Sequence, residues 1–335
     1  MMDLFGQVLC VGVPEDGLSR GFCSFFKEYL PANFILFRRN TAGGPEALRE
    51  LTQGLVALCS QYRLPRPIIC VDQEGGDIAR LGPPHWPRLP WFGELDKRPD
   101  PRDAVLESAR QTAKMLKEVG INVNLAPCLD LTEDDSPTVM HCRTLSSDPV
   151  RVAELGVHYI EELGKHGVAA VAKHFPGIGA IDEDPHHDFS MSTSSKERQR
   201  QAMLPFRAAI RAGVFGIMTS HVLYPDQDPG NIATFSRSII GILRRELEFQ
   251  GVVFTDDLFM GAIRRNRDGY GLGRSGLLAI EAGHDMLLYC GEMEITATAI
   301  EELRRNLEKD RTIREHVLQT SKRIIRVKRE YLGES

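Results

Sequence analysis

Eight short apolar runs, separated by segments of helical period, constrain this chain more than any other feature. They occupy residues 8–13, 34–37, 68–71, 123–129, 168–172, 216–220, 252–255 and 286–289. Seven of the eight lack a clear in–out alternation. A strand with one wet face alternates; a strand without alternation is buried on both faces, as in a parallel sheet covered by helices. Helical patterns fall at 45–62, 101–119, 149–164, 195–212, 237–247 and 273–282, with two more at 292–307 and 311–331. Proline opens three of them, where its missing N–H costs nothing and its fixed φ suits a first turn. Eight strand-then-helix units in 335 residues predict an α/β fold, a (β/α)8 TIM barrel, regular or locally irregular. A doubly wound open sheet is the competing arrangement. There is no linker, repeat or low-complexity segment, so residues 1–335 read as a single domain.

Composition removes several function classes. Hydrophobic residues make up 42% and charged residues 26%, the balance of a water-soluble globular chain. Net charge is −5 with no basic tract, which argues against nucleic acid and anionic membrane as partners. The start, MMDLFGQVLCVGV, has an early Asp and no basic region, and reads as a first strand rather than a leader. The seven Cys are scattered without a CxxC pair, which predicts a reducing, cytoplasmic setting and neither a disulfide framework nor a zinc site.

Barrel active sites sit at the C-terminal ends of the strands. Those ends read Arg38-Arg39-Asn40, Asp72-Gln73-Glu74, Asp130, Lys173-His174, Ser220-His221 and Thr255-Asp256-Asp257. Such a ring suits a hydroxyl-rich ligand held by carboxylates, Lys and Arg. It has no trusted metal-ligand spacing and no phosphate loop, so no metal and no cofactor is expected. The segment Lys173-His174-Phe175-Pro176-Gly177-Ile178-Gly179 then opens a long polar loop, 177–194, containing Asp184 and His186. A carboxylate two residues from an imidazole can orient and charge it, and histidine exchanges protons near neutral pH. A second long loop spans 132–148.

These motifs, taken in order, resemble glycoside hydrolase family 3, and within it the bacterial β-N-acetylglucosaminidases of cell-wall recycling. The resemblance rests on Ile35-Leu36-Phe37-Arg38-Arg39-Asn40, Val71-Asp72-Gln73-Glu74-Gly75-Gly76, Asn124 to Asp130, Arg143 to Pro149, the KHFPG segment with Asp184 and His186, and Thr255-Asp256-Asp257-Leu258. It implies a retaining exo-β-N-acetylglucosaminidase acting on terminal β-linked GlcNAc. The implied substrate is a GlcNAc–anhydroMurNAc disaccharide or muropeptide. Asp256 would be the nucleophile, His186 the general acid/base and Asp184 its partner. Asp72, Arg80, Arg143, Lys173 and His174 would hold the sugar. Many relatives carry a further α/β-sandwich domain, for which this chain leaves no room. A monomer is expected.

Plainer readings stand beside these. Asp256 is also placed to cap a helix or meet a buried Arg, and Asp257 is the likelier structural member of the pair. Its carboxylate would disfavour an ionised neighbour, so a donor near Asp256 is expected. His187 rivals His186 in chemistry. Lys173 and His174 could brace the barrel, Asp72 could cap a loop, and Glu74 could pair with an Arg. Arg38 and Arg39, being adjacent, cannot both point inward. Met260 reads as core filling. Ile178, Pro185, Phe189-Ser190, Asp77 and His141 depart from the family pattern, and Asp77 reverses a charge. Competing functions are a family 3 β-glycosidase or phosphorylase of other specificity, a sugar-binding homologue without turnover, and a Schiff-base lyase using Lys173.

Overall fold

Eight parallel strands hydrogen-bond in chain order and close on themselves into a barrel. The computed structural model describes residues 2–131, 140–181, 184–185, 188–264 and 272–333. The strands are β1 Leu9–Gly12, β2 Asn33–Leu36, β3 Ile68–Val71, β4 Val123–Asn124, β5 Ala169–Phe175, β6 Gly216–Thr219, β7 Val252–Asp257 and β8 Met286–Tyr289. Closure comes from β1, which pairs β2 on one side (Val11 with Phe34) and β8 on the other (Cys10 with Leu288). Most strand residues are fully buried, which explains the missing alternation: one face fills the barrel and the other meets the helices. Gly216 admits a ring into that packing; a Cβ there would meet Phe254 at 2.6 Å.

Several boundaries differ from the expected ones, and three of the differences have a local reason. The run 123–129 keeps only Val123–Asn124 as regular strand, because Pro127 brings no N–H to the ladder; a lone bridge between Cys128 and Lys173 resumes it. Strand β5 runs on to Phe175, so Lys173 and His174 are strand residues rather than loop residues. The pattern 195–212 splits at Met203 into Lys196–Ala202 and Leu204–Arg211, with Pro205 in the first turn of the second piece.

The last helix, Arg311–Leu332, seals the N-terminal end of the barrel. Its Lys328 is buried and donates to Gln7 Oε1 at 2.8 Å and to the carbonyl of Ala32 at 3.1 Å, just ahead of β1 and β2. Asp285, ahead of β8, is held from the same side by Arg244 and by Arg323 at 2.5 Å. Polar residues thus brace the bottom of the barrel and leave the opposite mouth for chemistry. Among the described residues no helix is long and apolar enough to cross a membrane.

Candidate active site

The stretch Val71-Asp72-Gln73-Glu74-Gly75-Gly76 builds one wall. Gln73–Gly75 turns back antiparallel on Ile78–Ala79. The Gln73 side chain clamps the turn, donating to the Leu81 carbonyl and accepting from the Leu81 N–H, both at 2.9 Å. Gly76 sits at φ +54°, and a Cβ there would fall 2.0 Å from the Trp91 indole, so the tight fold-back requires glycine. The result places Arg80 Nη2 2.9 Å from Asp72 Oδ2.

Lys173 crosses from β5 and bridges two carboxylates, 2.8 Å from Asp72 Oδ1 and 2.6 Å from Glu74 Oε1. Arg143, buried at the end of the short helix Met140–Arg143, grips Glu74 through two bonds of 2.9 Å. Two carboxylates therefore share three cations. Burial works against the ionised form of each acid, but the cations outweigh it: Asp72 is held well below the usual carboxylate range and Glu74 at about 2. Burial likewise opposes the charge on Lys173, and Asp72 and Glu74 reverse that and hold it protonated. This is a preformed charged lattice, with each partner needed to offset the desolvation of the others.

Beside it, Asp130 collects four donors. It accepts from the His174 Nδ1 at 2.6 Å, the His174 N–H at 3.3 Å, the Ile178 N–H at 2.8 Å and the Cys128 thiol at 3.2 Å. Burial opposes its ionisation, but His174 and these donors lower its pKa. The imidazole proton therefore lies on Nδ1, and Nε2 faces Arg143 Nη2 at 3.4 Å. Ile178 contributes its backbone N–H and buries its side chain, which is how an apolar residue is accommodated there. Cys128, Asp130 and His174 are also a His/Cys/Asp cluster with donor atoms within 4.8 Å. Burial pushes the Cys128 thiol up, so the three form a hydrogen-bonded chain rather than a set of ready metal ligands.

Strand β7 ends in the acidic pair. The Asp257 N–H donates to Asp256 Oδ1 at 2.8 Å, the backbone donor expected near Asp256. Asp257 Oδ1 accepts the N–H groups of Phe259 and Cys290, both at 3.1 Å, and so ties the ends of β7 and β8 together. Burial, and secondarily Asp256, raises Asp257 to about 6. His221 is braced between Thr234 Oγ1 at 2.6 Å and the Asp257 carbonyl at 3.0 Å.

Asp72, Glu74, Arg80, Arg143, Lys173, His174, Asp256 and Asp257 line one cavity of about 340 Å³. Asp256 and Asp72 face each other, since β3 and β7 are four strands apart in a ring of eight. Met260, read as core filling, instead lines this cavity with Met218, Phe37 and Cys290. Cys290 directly follows β8, so the strand-end rule would have found it; nothing in the sequence distinguishes Met260 from a core methionine. Arg38 and Arg39 both lie outside this cavity. Arg38 donates to the carbonyls of Asp77 and Ala79, and Arg39 stacks over Phe37 at 4.6 Å. Asp184 is partly buried on the loop beyond β5. Its neighbour Pro185 accepts from the Ala262 N–H at 3.2 Å, which docks that loop onto the segment following Asp256 and Asp257. His186 and its rival His187 lie outside the described residues.

A closed parallel barrel whose mouth carries a polar cavity of paired acids and fixed cations is built to grip a small hydroxyl-rich molecule. The chain belongs to glycosyl hydrolase family 3: the model of that family's N-terminal domain matches residues 11–327. It is 38% identical over 272 residues to a β-hexosaminidase of Nitrosomonas eutropha, covering 78% of this chain and 74% of the relative. It is 33% identical over 290 residues to a β-hexosaminidase of Stenotrophomonas maltophilia, covering 84% and 83%. Among solved structures, a family 3 β-N-acetylglucosaminidase of a Paenibacillus species superposes with a TM-score of 0.89 at 31% identity. That match covers all of this chain, which spans 63% of the Paenibacillus protein. A β-N-acetylhexosaminidase of Beutenbergia cavernae superposes with a TM-score of 0.87 at 25% identity, covering 98% of each.

Proposed function

We propose that this protein is a retaining exo-β-N-acetylglucosaminidase that removes terminal β-linked GlcNAc. The observation that carries the reading is Asp256 facing, across one cavity, the lattice of Asp72, Arg80, Arg143, Lys173 and His174. The lattice holds the hydroxyls and acetamido group of the sugar, and Asp256 meets the anomeric carbon from the other wall. In the first step the Asp256 carboxylate attacks that carbon while His186 protonates the departing glycosidic oxygen. In the second, His186 takes a proton from water, which releases the sugar and restores Asp256. Asp184 orients the His186 ring and stabilises its cationic form. The docking of Pro185 against Ala262 supports this assignment, because it anchors the His186 loop beside the Asp256 strand end. The substrate is read as a GlcNAc–anhydroMurNAc disaccharide or muropeptide, handled by a cytoplasmic monomer.

Release of p-nitrophenol from its β-GlcNAc glycoside, set against the β-glucoside, tests the activity. Asp256→Asn is expected to abolish turnover while sugar binding survives. His186→Ala is expected to slow unactivated disaccharides by about 10²–10⁴-fold and the activated phenyl glycoside far less. Equal slowing of both would remove His186 from the acid role.

A further inference from the structure

A second cavity, of about 500 Å³, opens behind the Arg80 wall. Arg38, Arg80, Arg88 and His85 line it, with Asp77 as the one lining carboxylate among the described residues. Asp77 is spoken for: Arg88 Nη2 is 3.3 Å from its Oδ1. Arg38 meets only the backbone carbonyls of Asp77 and Ala79 among the described residues, so its charge has no carboxylate partner there. Two of its lining residues, Arg80 and Trp86, each keep a buried donor, Nε and Nε1, without a hydrogen-bond acceptor among the described residues. Unsatisfied buried donors beside a cationic cavity are what an oxyanion would satisfy. Gly82 also lines the cavity, and a Cβ there would meet no atom within 4 Å, so the space beside it is open.

Arg80 is common to this cavity and to the sugar cavity, where its Nη2 holds Asp72. Strands β2 and β3, which carry this wall, lie across the barrel from β7 and Asp256. We infer that this cavity is an oxyanion-binding subsite for a sulfate, phosphate or carboxylate group lying on the side of the sugar remote from the cleaved bond. The inference rests on the proposed glycosidase reading for its orientation. The anion is either a substituent of the sugar itself or a free ion seated next to it.

The test compares p-nitrophenyl β-GlcNAc with its 6-sulfate on the full-length protein, with and without inorganic sulfate. Arg88→Gln removes a cation and Gly82→Trp fills the space; neither residue belongs to the sugar lattice. If the anion is part of the substrate, the wild type favours the sulfated glycoside, free sulfate erodes that preference, and each variant reduces it roughly fivefold while hydrolysis of the neutral glycoside stays unchanged. If the anion is free, sulfate shifts KM for the neutral glycoside in the wild type and not in the variants. Asp77→Asn is expected to strengthen either effect. A sulfate response identical in the wild type, Arg88→Gln and Gly82→Trp overturns the subsite. Failure to cleave even the neutral glycoside would instead sink the glycosidase reading, and sulfate protection of Arg88→Gln against heat, compared with the wild type, would still report on the anion site.

Discussion

Asp130 shows how a buried residue behind the cavity can decide what its neighbours do. Its carboxylate fixes the His174 proton on Nδ1 and leaves Nε2 turned toward Arg143. In Asp130→Asn, the amide NH2 placed at Oδ2 would donate toward Nδ1 and drive the proton to Nε2, where it would confront the Arg143 guanidinium. The face that His174 presents to Arg143 then changes without loss of volume. kcat/KM for the GlcNAc glycoside is expected to fall about a hundredfold, the scale of a misplaced binding group. The tautomer change should appear in the ring nitrogen shifts of His174 by NMR. An unchanged ring with lower activity would locate the damage elsewhere. Placement was readable where residues sit at strand ends: Asp72, Lys173, His174 and Asp256 reach the cavity as that rule expects. Glu74 stands at a strand end with an Arg partner foreseeable, but its place as the hub between Lys173 and Arg143 depends on the hairpin turning back. Met260 was misread because a methionine carries the same signal in a core and in a cavity wall.

At the level of elements, burial predicted the strands well, and Pro127 accounts for the one that stops early. The apolar run at 68–71 and that at 286–289 appear at the expected bounds, since each is buried throughout. The run at 123–129 failed as a single strand because periodicity counts side chains and not N–H donors. The final helix illustrates a cost that no pattern reveals. Lys328 sits on the face of Arg311–Leu332 that plugs the barrel, and burial lowers its pKa from 10.5 to about 7. The unfolded chain keeps that proton up to pH 10.5, while the folded chain gives it up from about 7. Between those values the unfolded state binds more protons, so this lysine makes stability rise with pH. Its penalty is full below pH 7 and relieved across that window. Urea unfolding at pH 7 and pH 9.5 should show a gain of about 1–3 kcal/mol in the wild type that is missing in Lys328→Met. The slope is the readout, because Met also leaves Gln7 Oε1 and the Ala32 carbonyl without their donor. Equal slopes in both proteins would assign the pH response to another group.

For the molecule as a whole, the barrel was legible because eight buried runs in order admit few closures, whereas the charged lattice depends on pairings between distant parts of the chain. Lys173 on β5 joins Asp72 and Glu74 after β3, and Glu74 joins Arg143 at the end of the helix Met140–Arg143. The site and the fold therefore share one set of bonds, and acid should disrupt both together. Asp72 and Glu74 have folded pKa values below their ordinary ones despite burial. A depressed carboxylate contributes stability that is complete above its unfolded pKa, about 4, and is lost as pH falls through the folded value. Removing the shared cation in Lys173→Met raises both folded values and moves that loss to higher pH. Breaking a buried pair leaves uncompensated charge, so neutral stability should drop by roughly 3–5 kcal/mol. The acid-unfolding midpoint, followed by circular dichroism, should rise by about one pH unit. Glycoside hydrolysis in the variant should be lost even at pH 7, where the barrel is still folded, because the cavity loses its ammonium and Glu74 loses half of its clamp. A variant with the wild-type acid midpoint would show that Arg80 and Arg143 hold the two carboxylates alone, and that Lys173 serves the sugar rather than the barrel.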